Sequence, residues 1–555
     1  MLNEKALINL INIPLTGRDL SQARQLHYGA ALETLTRLQL KPSARYPKVM
    51  ALMKELQTEI AQTGLVEAES LLGKIAVGEL ATIQAVFSHS LFKQLVKKIA
   101  DATNTKAKVV KKGMIVQLVT LINEGKQWQK FTRTFHIGDE IFHSTFTPIN
   151  AAFDPTFASY GQTGYSSLTT KLSEHELPLE QRGRATNGWL TQFSRNNELL
   201  FTAFRSGVAS EKHVADSQKR QTLAWSKMYD LLKAMGVEYL KNQPRAEQQA
   251  IFEGGKIANI PIVSTSLLTS MGKLGWLPGL RLDKTILKEH AAALSSFHEQ
   301  KTQFAVVMEG QTKNVSVTFT IINFNKAVNE FRYWGANLLG QQKVINKVAF
   351  QRLKKLTVEK LAQLENEAET NWQLRIRIEK IKQLWARIEA VSARRNWRSF
   401  SGSGMGYELP ALVSNLGYQL GAMVHYNCMS GKDRTGMADV EAKLLAYQMD
   451  FRARAEIPLS LPIELVPNYK KKLSDDDAEA AIKLIFESGN LDIQQINTGV
   501  AGYKIRGAMG GRWQKILATQ RSQQILRQYL AWDDGLIQPK QFNNLVNAFS
   551  IFTEA

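Results

Sequence analysis

One stretch constrains the rest of the chain more than any other. An apolar run, Ala422-Met-Val-His-Tyr-Asn427, passes directly into Cys428-Met-Ser-Gly-Lys-Asp-Arg434-Thr435-Gly436, and an apolar-periodic segment from Met437 to about Phe451 follows. A strand, a tight polar loop and a helix in that order aim several backbone N–H groups and a helix N-terminus at one small volume. The only cysteine of the chain opens the loop, and Arg434 stands after five intervening residues. Nucleophile, anion cradle and fixed positive charge in one loop suit a phosphate monoester.

The residue types fit that chemistry one by one. A thiol at the strand end, facing loop amides and a helix N-terminus, is expected to have its pKa lowered. Its thiolate attacks phosphorus in line and forms a phosphocysteine. The planar fork of Arg434 grips two phosphoryl oxygens and stays charged at any working pH. Ser430, Gly431 and Gly436 let the backbone close around the phosphate, the glycines because they lack a Cβ. Thr435 is placed to hydrogen-bond the sulfur and help it leave in the second step. Lys432 adds positive charge for a second phosphate. A general acid must protonate the departing oxygen; Asp433 is one candidate, and an aspartate on a separate mobile loop is the other. A buried structural cysteine is the alternative for a lone Cys, but the loop composition between a strand and a helix argues for the phosphatase reading. No metal-ligand spacing occurs, and no cofactor is expected.

The surrounding chain is that of a globular protein. At 555 residues, with 44% hydrophobic and 22% charged residues, it has room for several domains. No run approaches the roughly 18 apolar residues that span a bilayer. The N-terminal Met1-Leu-Asn-Glu-Lys lacks the pattern of a Sec-type signal peptide, and one cysteine permits no internal disulfide. A net charge of +20 suits a nucleic acid, an anionic membrane surface or a small polyanion. No zinc-finger spacing or RNP-like aromatic run supports nucleic acid. Most basic clusters, such as Lys354-Lys355, read as solvated faces; Arg394-Arg395-Asn-Trp397-Arg398 is the one with an interleaved aromatic.

Residues 1–125 read as a helical N-terminal region, with 3.6-spaced apolar positions over Leu20 to Leu40, Val49 to Ile60 and Leu80 to Ile99, and breaks at glycines including Gly113. Residues 126–555 read as mixed α and β. Strands are expected at Met114 to Leu121 (at the junction of the two regions), Phe131 to Ile137, Ile257 to Leu268, Phe304 to Met308 and Val315 to Ile322. Residues 145–195 read as loop-rich. Helices are expected from His213 to Met235 and from Gln342 to Val391, the latter broken near Thr370-Asn371. Ser399 to Gly406 reads as a flexible connection, and Ser474-Asp-Asp-Asp477 as a helix N-cap with an acidic first turn. The fold class is therefore α+β (mixed α/β), a Cys-based phosphatase domain preceded by an α-helical region.

The Cys428-to-Met437 loop closely resembles the active-site loop of the inositol phosphate phosphatases injected by bacterial type III secretion, the SopB/SigD and IpgD family. Phe324-Asn325-Lys-Ala-Val328-Asn329-Glu330 is similar to an upstream motif of that family, with Phe331 in place of its leucine. Ser488 to Gln494 and Asn497 to Lys504 resemble its C-terminal block. The resemblance extends from about residue 300 to 507, is fainter back to about 190, and fades over the N-terminal helices. It implies that Lys504 contributes to activity and that Asn325, Asn329 and Glu330 contribute to substrate binding. It also implies phosphoinositides or inositol polyphosphates as substrates at an anionic host membrane. By resemblance the N-terminal helices would engage a secretion chaperone, membrane or Rho-type small GTPase, and the protein would be a type III effector delivered into the host cell. Met429 stands where the family usually has lysine, which removes a cation from the pocket. The competing readings are a protein tyrosine or dual-specificity phosphatase using the same loop, and a host-GTPase-binding effector whose phosphatase is secondary.

Overall fold

The structure is a computed structural model. It describes residues 24, 27–32, 34–35, 46–62, 90–111, 113–114, 130–149, 187–210, 216–268, 278–308, 311–326, 328, 341–368, 371–393, 405–428, 431, 433–455, 464–467, 474–490, 493 and 519–530.

Before residue 115 every element assigned among the described residues is helical. Helices α1 (Tyr46–Gln62) and α2 (Ser90–Thr103) pack together, with Leu52, Leu56, Phe92, Leu95 and Ile99 buried. Lys48 and Lys54 lie exposed on the opposite side, as 3.6-residue periodicity requires. Gly113 and Met114 are helical. The strand expected to start at Met114 therefore does not start there, and Gly113 is no break; the remainder of that segment, and the boundary at 125, fall outside the described residues.

The centre of the molecule is an eight-stranded mixed sheet in the order β1-β2-β3-β4-β8-β5-β7-β6. Its strands are β1 (Phe131–Ile137), β2 (Glu140–Pro148), β3 (Trp189–Arg195), β4 (Glu198–Ser206), β5 (Ala258–Ser266), β6 (Thr302–Met308), β7 (Gln311–Asn325) and β8 (Met423–Asn427). The first four form an antiparallel meander. β4, β8, β5 and β7 run parallel, and β6 returns antiparallel beside β7. β1, β5, β6 and β7 coincide with the expected strands within a few residues. β2 and β3 instead occupy both ends of the stretch read as loop. Their alternating Thr, Ser and Gln partners face partly outward, so one-sided burial hid the strand pattern behind turn-like composition.

Period-two alternation assigns the two sheet faces. Met423 packs with Ile260, Ile262 and Phe319 against helices α3 (Ser217–Lys241) and α5 (Pro278–Ser295); α4 (Arg245–Phe252) is a short helix between them. Val424 and Tyr426 point the other way, into a core shared with α9 (Asp433–Ala455) and α10 (Asp475–Phe486). Further along the same face, Val263, Ile322 and Phe324 meet α6 (Gln341–Glu367), α7 (Trp372–Ala393) and α8 (Glu408–Gln419). Helix α11 (Gln520–Leu530) packs on α10. Helices on both faces leave all five residues of β8 buried, the polar His425 and Asn427 included, as for a parallel strand covered on both sides.

Local signals placed several boundaries. Asn371 separates α6 from α7 and its Oδ1 accepts from the amides of Gln373 (3.0 Å) and Leu374 (3.3 Å). Ser474 caps α10 by accepting from Asp477 N at 3.1 Å, with three aspartates in the first turn. Lys354 and Lys355 are exposed. Helix α9 begins at Asp433 rather than Met437, so the end of the polar loop is already the first turn of the helix.

Candidate active site

The register of the parallel strands brings their carboxyl ends level. Ser206 of β4 and Ser266 of β5 both pair with Asn427, and Ser266 pairs on its other side with Asn325. The carboxyl ends of parallel strands are where open α/β sheets form their binding crevice. Cys428 follows immediately after β8, 2% exposed.

Three contacts define the region around it. Thr435 Oγ1 donates to Cys428 Sγ at 2.9 Å. Arg434, partly exposed, donates through Nη1 to Leu267 O at 3.1 Å. Gly431 has φ +64°, and a Cβ there would approach Gly207 N and Ser206 C to 2.9 Å. Glycine is therefore required twice, by backbone conformation and by space. Because α9 starts at Asp433, the sulfur is linked to residue 435 in the helix's first turn, where the amides lack intrahelical partners.

Asn325 lies in this layer as a brace. It is 1% exposed, and its Nδ2 donates to Ser266 O (3.0 Å) and Leu268 O (3.1 Å). These two carbonyls flank Leu267, whose own carbonyl receives Arg434 and whose amide donates to Asn427 O at 2.8 Å. Asn346 grips the main chain of Asn325 on both sides at 2.8 Å. The expected site residues Cys428, Gly431, Arg434, Thr435 and Asn325 are thus brought together. Gly436 is buried in the first turn of α9, and the backbone of Asp433 opens it. Ser430, Lys432, Asn329, Glu330, Lys504 and Met429 lie outside the described residues, as does the side chain of Asp433.

A buried ionic network beneath the loop carries little local sequence signal. Arg205, near the end of β4, is fully buried. It donates to Gly431 O at 3.2 Å and to Asn490 Oδ1 at 2.5 Å, and lies 3.9 Å from Asp439. Asp439 accepts from Tyr426 Oη (2.5 Å), Asn490 Nδ2 (2.7 Å) and Lys443 Nζ (2.8 Å). Lys443 also donates to Ser144 Oγ at 2.8 Å and sits 4.4 Å from the centre of the Phe146 ring. Burial alone would raise the Asp439 carboxyl, but Lys443 and Arg205 hold it below its ordinary value. Burial pulls the Lys443 amine down to about 8 against the pull of Asp439. Asn490 belongs to the C-terminal block noted in the sequence, so that block reaches the underside of the loop. The only hint for the rest was an Asp and a Lys four apart on one helix.

On the other face, His425 sits in the middle of β8. Ser206 Oγ donates to Gly207 O at 2.7 Å, so it accepts from His425 Nε2 at 2.9 Å, and His425 Nδ1 accepts from Ser264 Oγ at 2.9 Å. The imidazole is neutral, its pKa lowered well below the ordinary value by burial and then by His290, 6.3 Å away between ring centres. His290 Nδ1 accepts from Ala209 N at 3.2 Å, and burial lowers its pKa to about 4. Its neighbour Glu289 takes a forked pair from Arg220 (2.7 to 2.9 Å) and a hydrogen bond from Ser210. These contacts fix the segment after β4 against which Gly431 rests.

Comparison with known proteins points in one direction. A sequence model of the family described as enterobacterial virulence protein IpgD matches residues 23–513, further toward the N-terminus than the motifs alone carry. The chain is 26% identical over 482 residues to inositol phosphate phosphatase IpgD of Shigella flexneri, spanning 82% of this chain and 77% of that protein. It is 27% identical over 368 residues to inositol phosphate phosphatase SopB of Salmonella bongori, spanning 62% and 77% respectively. Its fold is similar to the crystal structure of SidF, a Legionella phosphoinositide phosphatase, with a TM-score of 0.52 over 90% of this chain and 91% of that one. At 10% identity that likeness concerns the fold.

Proposed function

We propose, from the premise that the chain belongs to the enterobacterial virulence protein IpgD family, that it is a phosphoinositide and inositol polyphosphate phosphatase working through a phosphocysteine at Cys428. The observation that carries this is the 2.9 Å contact of Thr435 Oγ1 with Cys428 Sγ, made where β8 ends and α9 begins. The relatives named above, inositol phosphate phosphatases, support the substrate class.

In the first step the Cys428 thiolate attacks phosphorus. The P–S bond forms, the bond from phosphorus to the inositol oxygen breaks, and a general acid delivers its proton to that oxygen. Asp433 is the proposed acid. Arg434, held from behind by Leu267 O, keeps its remaining N–H groups for the equatorial oxygens, whose charge grows in the transition state. In the second step water attacks phosphorus, gives a proton to the carboxylate of that acid, and the thiolate leaves. The Thr435 hydroxyl stabilises the departing sulfur. Gly431 supplies close backbone approach. Ser430, Lys432 and Gly436 complete the cradle in this proposal, and Lys504 with Asn329 and Glu330 contribute from neighbouring segments. Met429, in place of the family's lysine, is expected to lower the preference for additional phosphates.

The test is phosphate release from short-chain phosphoinositides and a phosphotyrosine peptide by wild type and Cys428→Ser. Loss of all turnover with an unchanged melting temperature is expected for the variant; undiminished release would sink the mechanism. A strong preference for the peptide would reverse the substrate assignment toward a protein phosphatase. We extend the proposal to residues 1–125 as a helical region that contacts a Rho-type GTPase, a secretion chaperone or an anionic membrane surface. Absence of any nucleotide-dependent partner in a pull-down would count against the GTPase. Delivery by a type III system into the host cell belongs to the same proposal; failure of a translocation reporter fused to the chain would remove it. Among the described residues no helix is long and apolar enough to cross a membrane.

A further inference from the structure

The opposite end of the same strands carries a second concave site. A cleft of about 790 Å³ opens at the amino ends of β4 and β8, with Leu199, Ala422 and Met423 in its lining. Five residue steps along β8 separate its Met423 from Cys428, a rise of roughly 17 Å. It is thus separate from the candidate active site, and the inference does not depend on the proposed function.

The charges in this cleft do not balance. Its lining includes the cations Arg195, Arg377, Lys380 and Arg454 and the carboxylates Glu198 and Asp450. Both carboxylates are already engaged. Arg195 holds Glu198 at 2.7 Å and Asp450 at 2.9 Å. Arg454 also holds Asp450, at 3.0 Å, and reaches Glu140 at 2.6 Å. Arg377 and Lys380 have no carboxylate within ion-pair distance among the described residues. Arg377 donates only Nε, to Gln419 O at 2.8 Å, and the Lys380 amine makes no hydrogen bond there. They lie three apart on α7, hence on one face. Arg377 lies close over Gly421, where a Cβ would meet its Nη2 at 3.8 Å. Burial lowers the pKa of both below its ordinary value, the mark of cations partly stripped of water without full compensation.

We propose that this cleft binds a small phosphorylated molecule, with Arg377 and Lys380 gripping the phosphate. A fork and a point charge side by side match a phosphate's several acceptor oxygens. Trp372, Tyr239 and Tyr418 line the remainder and give ring faces on which a sugar, polyol or base can lie. The volume falls within the range of small-molecule sites. The phosphate can come from a soluble compound or from a lipid headgroup, and the recognition chemistry is the same.

The experiment uses the full chain carrying Arg434→Ala, which silences the phosphate loop. Calorimetric titrations use pyrophosphate and glycerophosphoinositol phosphate, and a cosedimentation arm uses vesicles containing phosphatidylinositol phosphate. One equivalent is expected to bind, and adding Arg377→Gln with Lys380→Gln is expected to weaken it at least tenfold. Lys380→Gln alone, which removes no hydrogen bond, is expected to weaken it by a smaller factor without lowering the melting temperature. Binding only to vesicles assigns the lipid source; binding to the soluble probes assigns the free one. No binding to any probe, or binding unchanged by the added substitutions, overturns the proposal. Turnover by Arg377→Gln/Lys380→Gln in the otherwise wild-type chain separates the two readings, because failure of the cleft leaves Cys428 chemistry untouched.

Discussion

In the two proposals, the ends of β8 take the same kind of ligand by different means. At the carboxyl end the first turn of α9 and the positive-φ Gly431 lie beside Cys428 and Arg434, and in the proposal backbone dipoles supply part of the positive field. At the amino end the field comes from the side chains of Arg377 and Lys380. Main-chain amides are fixed by the fold and need no reorganisation when charge develops during a reaction, which is what catalysis uses. Long side chains adapt to the ligand they meet, which suits binding. The difference extends below the surface: the Cys428 end rests on the Arg205–Asp439–Lys443 network, while the cleft is framed by the ends of helices α3, α7, α8 and α9.

The sharpest way to break this contrast is to remove one arginine from each end. Arg434→Ala is expected to lower kcat/KM for a short-chain phosphoinositide by on the order of 10³-fold, about 4 kcal/mol of transition-state stabilisation. Arg377→Gln is expected to leave it within twofold. Equal losses from the two in the same steady-state assay would erase the distinction.

A second substitution tests the support. Arg205→Met leaves Asp439 with one cationic partner and releases Gly431 O. A loss on the order of 2 kcal/mol in denaturant unfolding is expected, since the buried acceptors Gly431 O and Asn490 Oδ1 lose their donor while Asp439 keeps Lys443. Unchanged stability would mean that the network does not brace the loop.

The third prediction concerns the middle of the strand. His290 titrates at about 4 when folded and near 6.5 when unfolded. Below pH 6.5 the unfolded chain therefore takes up the proton first, and stability falls as the pH drops from 6.5 toward 4. The loss reaches on the order of 3 kcal/mol at pH 4 for this residue. His290→Gln is expected to flatten that part of the stability–pH curve measured by urea unfolding. An identical curve for variant and wild type would show that His290 takes up its proton as readily in the fold as in the unfolded chain.

Legibility followed the range of the interactions. β1 and β7 were readable because apolar residues recur at the strand period, and the Asn371 break and Ser474 cap because each is a bond to a residue two or three positions on. The ends of the 145–195 stretch were misread because β2 and β3 keep polar residues on a half-exposed face. The helix start at Asp433 was placed four residues late, since polar residues that feed a helix N-terminus look like loop until the turn is seen. Cys428, Arg434, Thr435 and Gly431 were legible as a group because loop chemistry is local.

The sequence by itself determined the loop that joins Cys428 to Arg434, the backbone freedom at Gly431 and the strand that leads into them. Only the tertiary structure decided what lies beneath and behind them. Arg205 meets Asn490 across 285 residues, and Lys443 meets Ser144 across 299. Neither pairing leaves a trace in local periodicity, because burial of a charge is set by which distant elements pack over it. The same holds for Arg377 and Lys380: on the helix they are ordinary basic residues, and the packed ends of β4, β8 and α9, which commit the nearby carboxylates to Arg195 and Arg454, are what leave them uncompensated.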